Sequence, residues 1–454
     1  MGKYFGTDGF RGEAGVELTS LHAYKIGRFL GWYYKGQGKG ARAVIGKDTR
    51  RSSYMLEYAI ASGLSASGAS AYMLHVTTTP GVSFVTRGED FDLGIMISAS
   101  HNPYYDNGIK IVNSRGEKLE DEVISKIEAY LDGDCSTLAK VGDLPLAKGA
   151  EIGEITDYSQ GRNRYIGYLI SISKHSFKGL RIGLDTANGG AFMIAKSVFD
   201  ALGAKTYVIN QEPNGLNINK NAGSTCIEGL CQLVRERELD MGFAFDGDAD
   251  RCIAVDERGE VVNGDHILYI LARELKNLGE LSGNRVVTTV MSNMGLYRAL
   301  DEIGIQYEQT KVGDKYVYEN MMKNGYVLGG EQSGHVILSK HATTGDGILT
   351  AIKVAEAVIE NKTTLSRLKE PVLMLPQVTK NVKVRSKERV MTNERILSLV
   401  EEIRVSLNGR GRILLRESGT EPLIRIMVEA DTREECEELS SRVARLIYDL
   451  NLSE

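Results

Sequence analysis

The chain has 454 residues, of which 42% are hydrophobic and 25% are charged, so it is long enough for about three or four globular domains. Its formal net charge of -5 supplies no general basic field, which argues against a nucleic-acid-binding protein. The first residues lack the apolar segment of a signal peptide, and no apolar run approaches the roughly 18 residues of a membrane span. Five scattered cysteines indicate free thiols in a reducing compartment. We therefore expect a cytoplasmic protein that binds neither nucleic acid nor membrane.

Helix and strand patterns alternate through the first part of the chain, which is typical of an α/β domain. An apolar run at 93–97 predicts a buried strand, and Asn107-Gly108 predicts a turn after it. A polar, glycine-containing stretch around 133–155 indicates a boundary, so the first domain is predicted over 1–153. Helices are predicted over 21–34, 55–67 and 120–131, and a short strand over 43–46.

Three further units follow along the chain. Strand patterns at 180–185, 252–255 and 285–290 predict two more α/β domains, over 154–256 and 257–370. The pattern then changes to helix, strand, strand, helix, which predicts a smaller α+β domain over 371–454. Its four elements are predicted at 389–405, 412–416, 424–429 and 433–448.

Ser100 comes directly after the predicted strand 93–97, in the loop Ser98–Pro103. A serine at the end of a buried strand is held by a rigid element and presented to a cleft. His101 is its immediate neighbour rather than a partner placed opposite, so the loop offers no obvious base for the hydroxyl. If Ser100 takes part in chemistry, other parts of the chain must contribute to the site.

Three aspartates, Asp246, Asp248 and Asp250, follow an apolar strand pattern that ends at Phe245. Alternate residues of an extended segment point the same way, so the three carboxylates can converge on one cation. All-oxygen ligation suits Mg²⁺ or Ca²⁺. The alternative is an acidic turn that caps the strand. Three carboxylates behind an apolar strand are costly unless they are paired or bound to metal, so we favour a metal site.

Two polar loops and one arginine each allow a functional and a purely structural interpretation. The segment 416–425 has the two arginines, hydroxyls and glycine that suit a phosphate dianion, but an ordinary charged hairpin has the same composition. Glu331 and Ser333, at alternating positions, could share one face and bind sugar hydroxyls, while His335 could move a proton; the alternative is a polar hairpin with a solvated histidine. Arg11, flanked by glycines, is either an anion clamp or part of a surface turn.

Together these stretches resemble the α-D-phosphohexomutase superfamily over the whole chain. Ser98–Pro103 is similar to its serine loop, Asp246–Arg251 to its metal loop, Gly330–Gly334 to its sugar loop and Arg416–Arg425 to its phosphate loop. Within the superfamily the chain resembles most closely the bacterial enzymes that act on glucosamine phosphates. That closer likeness is carried by the segments 6–12, 215–219, 223–225, 343–347 and 418–425. Two positions depart from the usual pattern: Ala249 stands where glycine is commoner and Cys226 where histidine is usual.

The resemblance implies a fold of three similar α/β domains, with mixed sheets flanked by helices, and a smaller C-terminal α+β domain around a central cleft. It also implies an isomerase that carries Ser100 as phosphoserine. The phosphate would pass to glucosamine 6-phosphate, and the resulting 1,6-bisphosphate would turn end for end. Its other phosphate would return to Ser100 and leave glucosamine 1-phosphate, which feeds the synthesis of UDP-N-acetylglucosamine and cell-wall precursors. Glucosamine or glucose 1,6-bisphosphate would serve as activator.

The resemblance assigns further roles by position. One Mg²⁺ per subunit would be held by Asp246, Asp248 and Asp250 together with an oxygen of phosphorylated Ser100. Lys110 and His335 correspond to general acid/base groups, Arg11 and Arg251 to contacts of the transferring phosphate, and His101 to a residue that positions the serine loop. Glu331 and Ser333 would bind ring hydroxyls. The phosphate that is not reacting would be bound by Arg416, Ser418, Gly419, Thr420 and Arg425. A homodimer built from surfaces of the first domain is also implied.

Three other functions remain open at this stage. A phosphomannomutase or phosphoglucomutase would use the same chemistry on a sugar with a 2-hydroxyl group. A phosphatase could use Asp246 as nucleophile, although those enzymes place Thr or Val after their two aspartates, where this chain has Asp250-Arg251. A non-catalytic sugar-phosphate-binding protein fits poorly with an intact serine loop and three aspartates.

Overall fold

The computed structural model describes residues 2–36, 40–134, 143–418 and 422–453. The chain forms two compact units, Met1–Met291 with Ile305–Glu370 and Ser292–Gly304 with Pro371–Glu454. In the described residues, three sheets belong to the first unit and one to the second. Within the described ranges, no helix combines the length and the apolar character needed to cross a membrane. The boundaries of the four predicted domains stay a prediction.

The first sheet has seven strands and is the scaffold of the serine loop. Its strands and the neighbouring helices are, in chain order, β1 (Phe5–Gly6), β2 (Gly9–Glu13), α1 (Ser20–Lys35), β3 (Arg42–Lys47), α2 (Arg51–Ala66), β4 (Ser70–Val76), α3 (Thr79–Gly88), β5 (Leu93–Ile97), β6 (Asp106–Asn113), α4 (Asp121–Leu131) and β7 (Ile155–Asp157). The strand order is β1-β2-β6-β5-β3-β4-β7. β5 is buried over its whole length and lies between β3, parallel to it, and β6, antiparallel to it. The strand β7 joins this sheet although it follows the predicted boundary at 153.

The second and third sheets complete the first unit. The second region contains α5 (Ser159–Ser171), β8 (Arg181–Asp185), α6 (Ile194–Ala201), β9 (Lys205–Ile209), α7 (Glu228–Arg237), β10 (Met241–Phe245), β11 (Cys252–Asp256) and β12 (Val261–Val262). The third contains α8 (Gly264–Asn277), β13 (Arg285–Thr289), α9 (Met294–Glu302), β14 (Gln306–Thr310), α10 (Asp314–Asn324), β15 (Leu328–Gly330), β16 (Val336–Leu338), α11 (Gly347–Glu360) and α12 (Leu365–Lys369). Both sheets are mixed, as the first is, so the predicted fold class is confirmed. The helix α9 groups with the second unit.

The second unit carries a three-stranded antiparallel sheet. Its elements are β17 (Gln377–Lys383), α13 (Lys387–Met391), α14 (Glu394–Leu407), β18 (Arg412–Glu417), β19 (Leu423–Glu429) and α15 (Arg433–Asp449). The sequence prediction missed β17 and merged α13 with α14. β17 presents only Val378 and Val382 as apolar residues, so its pattern is weak. α13 ends at Met391, and Asn393 caps the start of α14 through its side-chain oxygen.

The predicted turn at Asn107-Gly108 is wrong, because both residues lie inside β6. The glycine is required for a close approach instead of a turn. A Cβ at Gly108 would lie 2.5 Å from the carbonyl oxygen of Ser98, and the Ser98 N–H donates to the Gly108 carbonyl at 3.0 Å. The Asn107 side chain donates to the hydroxyls of Ser52 and Ser53. β6 thus packs its backbone directly against the start of the serine loop.

Candidate functional site

Ser100 is buried, with 1% of its surface exposed, and lies just beyond the end of β5. Its φ of +51° is in the left-handed region, which is costly for a residue with a side chain. This conformation accompanies a hydrogen bond from the Ser100 hydroxyl to Oδ2 of Asp246, at 2.5 Å. His101 Nδ1 is 3.3 Å from the same hydroxyl. The serine hydroxyl therefore meets the first of the three aspartates at short distance, and His101 of its own loop at a longer one.

The three aspartates converge as predicted, but an extended segment is not the reason. β10 ends at Phe245, and the chain then turns: the Ala249 N–H donates to the carbonyl of Asp246 at 3.1 Å, and Ala249 has φ +55°. Within this turn, one carboxylate oxygen from each of Asp246, Asp248 and Asp250 lies within 4.8 Å of the others. The left-handed position explains why glycine would be the easier residue at Ala249.

The carboxylate cluster requires positive charge. Burial and the neighbouring carboxylates raise the pKa of Asp246 well above its usual range. One oxygen of Asp248 and one of Asp250 are buried without a hydrogen-bond partner. The Lys110 ammonium lies 2.8 Å from Asp248 and 3.2 Å from Asp250. Burial alone would lower the pKa of Lys110, but these carboxylates raise it well above its usual range. An oxygen-ligated divalent cation fits this donor set.

Arg11 and Arg251 surround the serine loop with positive charge. Arg11 pairs with Asp8. The guanidinium Nε of Arg251 is 4.0 Å from Oδ1 of Asp250, and the backbone N–H of Arg251 donates to Oδ1 of Asp246 at 3.2 Å. Burial, reinforced by both arginines, lowers the pKa of His101 to about 4, so its ring is neutral at physiological pH. Arg11 lies in the β1–β2 hairpin, which pairs through β2 with β6; the interpretation as a plain surface turn is therefore wrong.

His335 is buried, with 3% of its surface exposed, so the solvated-histidine interpretation is also wrong. Its Nδ1 is 3.8 Å from Asp250 and its Nε2 is 3.7 Å from Asp314. Burial opposes protonation, but these carboxylates raise the pKa of His335 to about 9. The Gly345 N–H donates to Nε2 at 3.0 Å, and that contact requires an unprotonated Nε2. This directional contact places the ring proton on Nδ1, facing Asp250.

Glu331 and Ser333 lie in a tight turn instead of an extended segment, so they do not share a face by alternation. The Gly334 N–H donates to the Glu331 carbonyl at 3.0 Å, and Gly334 has φ +90°. The Glu331 side chain accepts from the Gly313 N–H at 3.1 Å. Ser333 is exposed. The turn nevertheless presents both side chains from the segment that leads into His335.

A cleft of about 890 Å³ in the first unit is lined by groups of both charges. Sequence reasoning missed several of them. Lys118 bridges Asp8 at 3.3 Å and Asp314 at 2.7 Å, and Lys110 is 3.2 Å from Asp8. Thr79 donates its hydroxyl to Asp248. Asp8 lies in the segment 6–12, which the sequence analysis names. The contacts among these residues join segments far apart in the chain, so local sequence patterns do not predict them.

The predicted phosphate loop, residues 416–425, belongs to the second unit. Arg416 and Arg425 are directly paired across β18 and β19, and like charges in that arrangement are destabilising unless an anion offsets them. Burial, followed by the charge of Arg425, lowers the pKa of Arg416. Ser418 is buried, and its carbonyl accepts from Lys387 Nζ at 2.9 Å. Gly419 and Thr420 lie outside the described residues.

Four sequence models of one family match successive parts of the chain. They are described as Phosphoglucomutase/phosphomannomutase alpha/beta/alpha domain I, over residues 2–136, domain II, over 163–259, domain III, over 263–373, and the C-terminal domain, over 380–446. Together they account for most of the chain.

Two curated relatives are named phosphoglucosamine mutase. The protein of Lachnospira eligens is 61% identical over 449 residues, covering 98% of each chain. That of Lachnoclostridium phytofermentans is 56% identical, covering 98% of this chain and 97% of its own.

Solved structures share the fold. A phosphoglucomutase/phosphomannomutase family protein from Burkholderia thailandensis has a TM-score of 0.80 at 22% identity, covering 99% of this chain and 98% of its own. An Aspergillus fumigatus N-acetylphosphoglucosamine mutase in complex with GlcNAc-6P and magnesium has a TM-score of 0.72 at 17% identity, covering 98% and 95%. A variant of that mutase in complex with glucose 1,6-bisphosphate has a TM-score of 0.68 at 18% identity, covering 99% and 96%. The chain belongs to the phosphoglucomutase/phosphomannomutase family of α-D-phosphohexomutases, and within it to the phosphoglucosamine mutases.

Proposed function

We propose that the chain interconverts glucosamine 6-phosphate and glucosamine 1-phosphate, with Ser100 as the phosphoryl carrier and a 1,6-bisphosphate as the intermediate. The observation that carries this proposal is the hydrogen bond between the Ser100 hydroxyl and Asp246, one of three clustered aspartates. A serine that carries phosphate needs a positive environment at its oxygen more than it needs a base. Asp246, Asp248 and Asp250 would provide that environment by binding a divalent cation.

The cation is proposed to be one Mg²⁺ per subunit, held by these three aspartates and Ser100. When bound, it offsets the charge that develops on the transferring phosphoryl group. The buried, unpartnered oxygens of Asp248 and Asp250 support this assignment. The solved complexes with magnesium and with glucose 1,6-bisphosphate support, by analogy, the same metal and a bisphosphate activator.

The residues around Ser100 are proposed to bind the transferring phosphate, to move protons and to position the serine. Arg11 and Arg251 would bind the transferring phosphate as guanidinium donors. Lys110 and His335 are the proposed acid/base pair. The sugar hydroxyl would attack the phosphorus of phosphoserine, and the bond between phosphorus and the Ser100 oxygen would break as the new bond forms. One of the two groups would accept the proton of the sugar hydroxyl and the other would give a proton to the released Ser100 oxygen, with the roles reversed in the return step. His101 is neutral and adjacent, which suits a role in positioning Ser100.

Binding of the sugar phosphate is proposed to use two further loops. Glu331 and Ser333 would hydrogen-bond to ring hydroxyls from the turn before His335. Arg416, Ser418, Gly419, Thr420 and Arg425 would bind the phosphate that is not reacting. The direct pairing of Arg416 with Arg425 supports this role, because a dianion relieves the repulsion between them.

We also propose a homodimer formed through the first domain. Several large apolar side chains in that region are exposed, including Leu21 at 60%, Tyr58 at 64% and Tyr105 at 51%. Contiguous apolar patches mark interaction sites, and these side chains would supply apolar contacts if they lie in one such patch at the dimer interface. Sedimentation velocity should give the mass of a dimer at micromolar concentration, and a monomer mass would refute this part of the proposal.

The function is tested with Ser100→Ala. We expect wild-type protein incubated with glucose 1,6-bisphosphate to gain one phosphate on Ser100 by intact mass spectrometry, and the variant to gain none. Interconversion of the glucosamine phosphates should fall by about 10³-fold or more, as is usual when a covalent carrier is removed. Near-normal turnover in the variant would refute the carrier role. A higher kcat/KM for mannose or glucose phosphates would favour those substrates, and phosphate release without activator would favour a phosphatase.

A further inference from the structure

The left-handed conformation of Ser100 is held by donors from two other segments of the first unit. The Ser100 carbonyl accepts from Nη2 of Arg50 at 3.2 Å and from Nδ2 of Asn219 at 2.8 Å. The Asn102 carbonyl accepts from the same two atoms, at 2.6 and 3.0 Å. Two donors thus share two carbonyls of one loop. We call Arg50 and Asn219 the carbonyl clamp.

Arg50 is itself fixed before it reaches the loop. It is completely buried and pairs with Asp48, whose carboxylate also accepts from the Arg50 N–H at 2.9 Å and from the Ser53 hydroxyl at 2.7 Å. The Asp48 N–H donates to the carbonyl of Ile97, the last residue of β5. The guanidinium is therefore anchored to the same sheet that carries the serine loop. Burying the charged Arg50 guanidinium costs desolvation free energy, which its pairing with Asp48 offsets. Its remaining N–H groups donate to the backbone carbonyls of the serine loop.

Asn219 reaches the loop from a different direction. It lies in the stretch 215–219, which the sequence singles out and to which the proposed chemistry gives no role. Its backbone is left-handed, with φ +58°, and its N–H donates to the Ala187 carbonyl at 2.9 Å. Ala187 follows β8, a neighbour of the strand β10 that leads into the aspartates. Asn219 thereby links the support of the metal loop to the serine loop.

The metal loop makes room for this arrangement at Gly247. A Cβ there would lie 2.5 Å from the Ser100 carbonyl oxygen and 3.1 Å from Nδ2 of Asn219. Any side chain would therefore push against the clamped carbonyl. The serine loop, Asn219 and the metal loop approach one another at this glycine.

We propose that Arg50 and Asn219 are positioning residues, which hold Ser100 in the conformation that places its side-chain oxygen against Asp246. This inference rests on the proposed function, in which Ser100 carries phosphate. Ser100 alternates between a hydroxyl and a phosphate dianion during the cycle, so its side-chain contacts change, and the loop needs restraints that do not depend on those contacts. The clamp acts on backbone carbonyls and supplies such a restraint in every step of the cycle.

The test uses Asn219→Ala, with Asn214→Ala as the matched control. Asn214 is an exposed residue immediately before the stretch 215–219, and its side-chain oxygen accepts from the Leu216 N–H. We measure the rate at which glucose 1,6-bisphosphate phosphorylates Ser100, the final extent of phosphorylation, and kcat and KM for glucosamine 6-phosphate. In Asn219→Ala the phosphorylation rate and kcat should each fall at least about tenfold, because small misplacement of a reacting group is costly.

The other readouts separate positioning from a general structural role. The final extent of phosphorylation and KM should stay close to wild type, since the clamp touches the loop backbone and not the sugar. The control should match wild type in all four quantities. A phosphorylation rate within about twofold of wild type in Asn219→Ala would overturn the inference. A rate that is unchanged while only the final extent falls would also overturn it, because that result indicates partly unfolded protein.

Arg50→Lys supplies a second variant, which keeps the charge and removes the forked geometry. Because both residues act on the same carbonyls, the losses in the double variant should be less than the product of the single losses. Fully multiplicative losses would overturn a shared clamp. If Arg50→Lys does not fold, Asn219→Ala decides alone. Wild-type protein that never becomes phosphorylated would refute the proposed function; a phosphorylated wild type with an unaffected Asn219→Ala would refute only the clamp.

Discussion

At the scale of single residues, the site is organised by buried carboxylates and the positive charges that offset them. Asp246, Asp248 and Asp250 are buried together, and Lys110 is the cation that lies among them. Lys110 and Arg251, whose Nε lies 4.0 Å from Oδ1 of Asp250, carry two positive charges against three carboxylates, so the cluster is still short of positive charge. A divalent cation is the simplest group to complete it.

Asp248→Asn tests this charge balance with little change in volume. Unit charges about 4 Å apart contribute roughly 4 kcal/mol at an effective dielectric constant of 20, and a divalent cation doubles this contribution. After the cost of desolvating the carboxylate is subtracted, we expect Mg²⁺ to bind at least about 100-fold more weakly. Wild-type protein should melt at a higher temperature with millimolar Mg²⁺ than with chelator, because ligand that binds only the folded state stabilises it. The variant should lose that shift and its Mg²⁺-dependent activity.

Asp200→Asn is the matched control, since Asp200 is exposed and pairs with Lys196 on α6. Its Mg²⁺ response should equal that of wild type. An Asp248→Asn protein with an unchanged Mg²⁺ response would remove Asp248 from the ligand set.

At the scale of elements, the strands that support the site could be predicted, but the turns that aim its side chains could not. β5 and β10 are fully buried and are legible as apolar runs. Ala249 and Ser100 have left-handed backbones without being glycine, which propensity does not indicate. The role of Gly108 depends on the Ser98 carbonyl across the sheet, a contact that local sequence does not encode. The partners of Arg50 and Asn219 are hidden for the same reason.

Gly108→Ala should therefore affect both stability and catalysis. Its Cβ would meet backbone atoms of Ser98 and Phe10, at 2.5 and 3.1 Å, which cannot rotate away. We expect the free energy of unfolding to fall by about 1–3 kcal/mol, as for other overpacked sites, and kcat to fall because the serine loop shifts. Urea denaturation and steady-state kinetics measure the two effects.

Gly167→Ala is the matched control, because a Cβ at this position in α5 meets no atom within 4 Å. There the same substitution should be neutral or stabilise by up to about 1 kcal/mol, since alanine favours helix more than glycine. Equal effects of the two substitutions would show that the close approach at Gly108 is unimportant.

At the scale of the whole molecule, the reaction requires one set of loops to serve two orientations of the substrate. A phosphate loop that binds whichever phosphate is not reacting allows the same residues around Ser100 to carry out both half reactions. These are the transfer of phosphate to the sugar and the return of the other phosphate to Ser100. The C-terminal unit supplies a candidate in the paired Arg416 and Arg425. This arrangement predicts that weakening the loop affects the forward and reverse directions alike.

Arg425→Ala should raise KM for both glucosamine 6-phosphate and glucosamine 1-phosphate by roughly 10- to 100-fold, because a hydrogen bond to a charged group contributes about 1.5–3 kcal/mol. Phosphorylated wild type and variant are compared in both directions by coupled assay. Arg410→Ala is the control, since Arg410 lies in the same unit, is exposed and pairs with Asp431 at 2.7 Å. A KM that rises in only one direction would contradict a shared phosphate loop. A lower melting temperature with unchanged KM would instead assign Arg425 to the stability of the C-terminal sheet. Removing a residue that binds the phosphate that is not reacting must weaken the binding of both substrates.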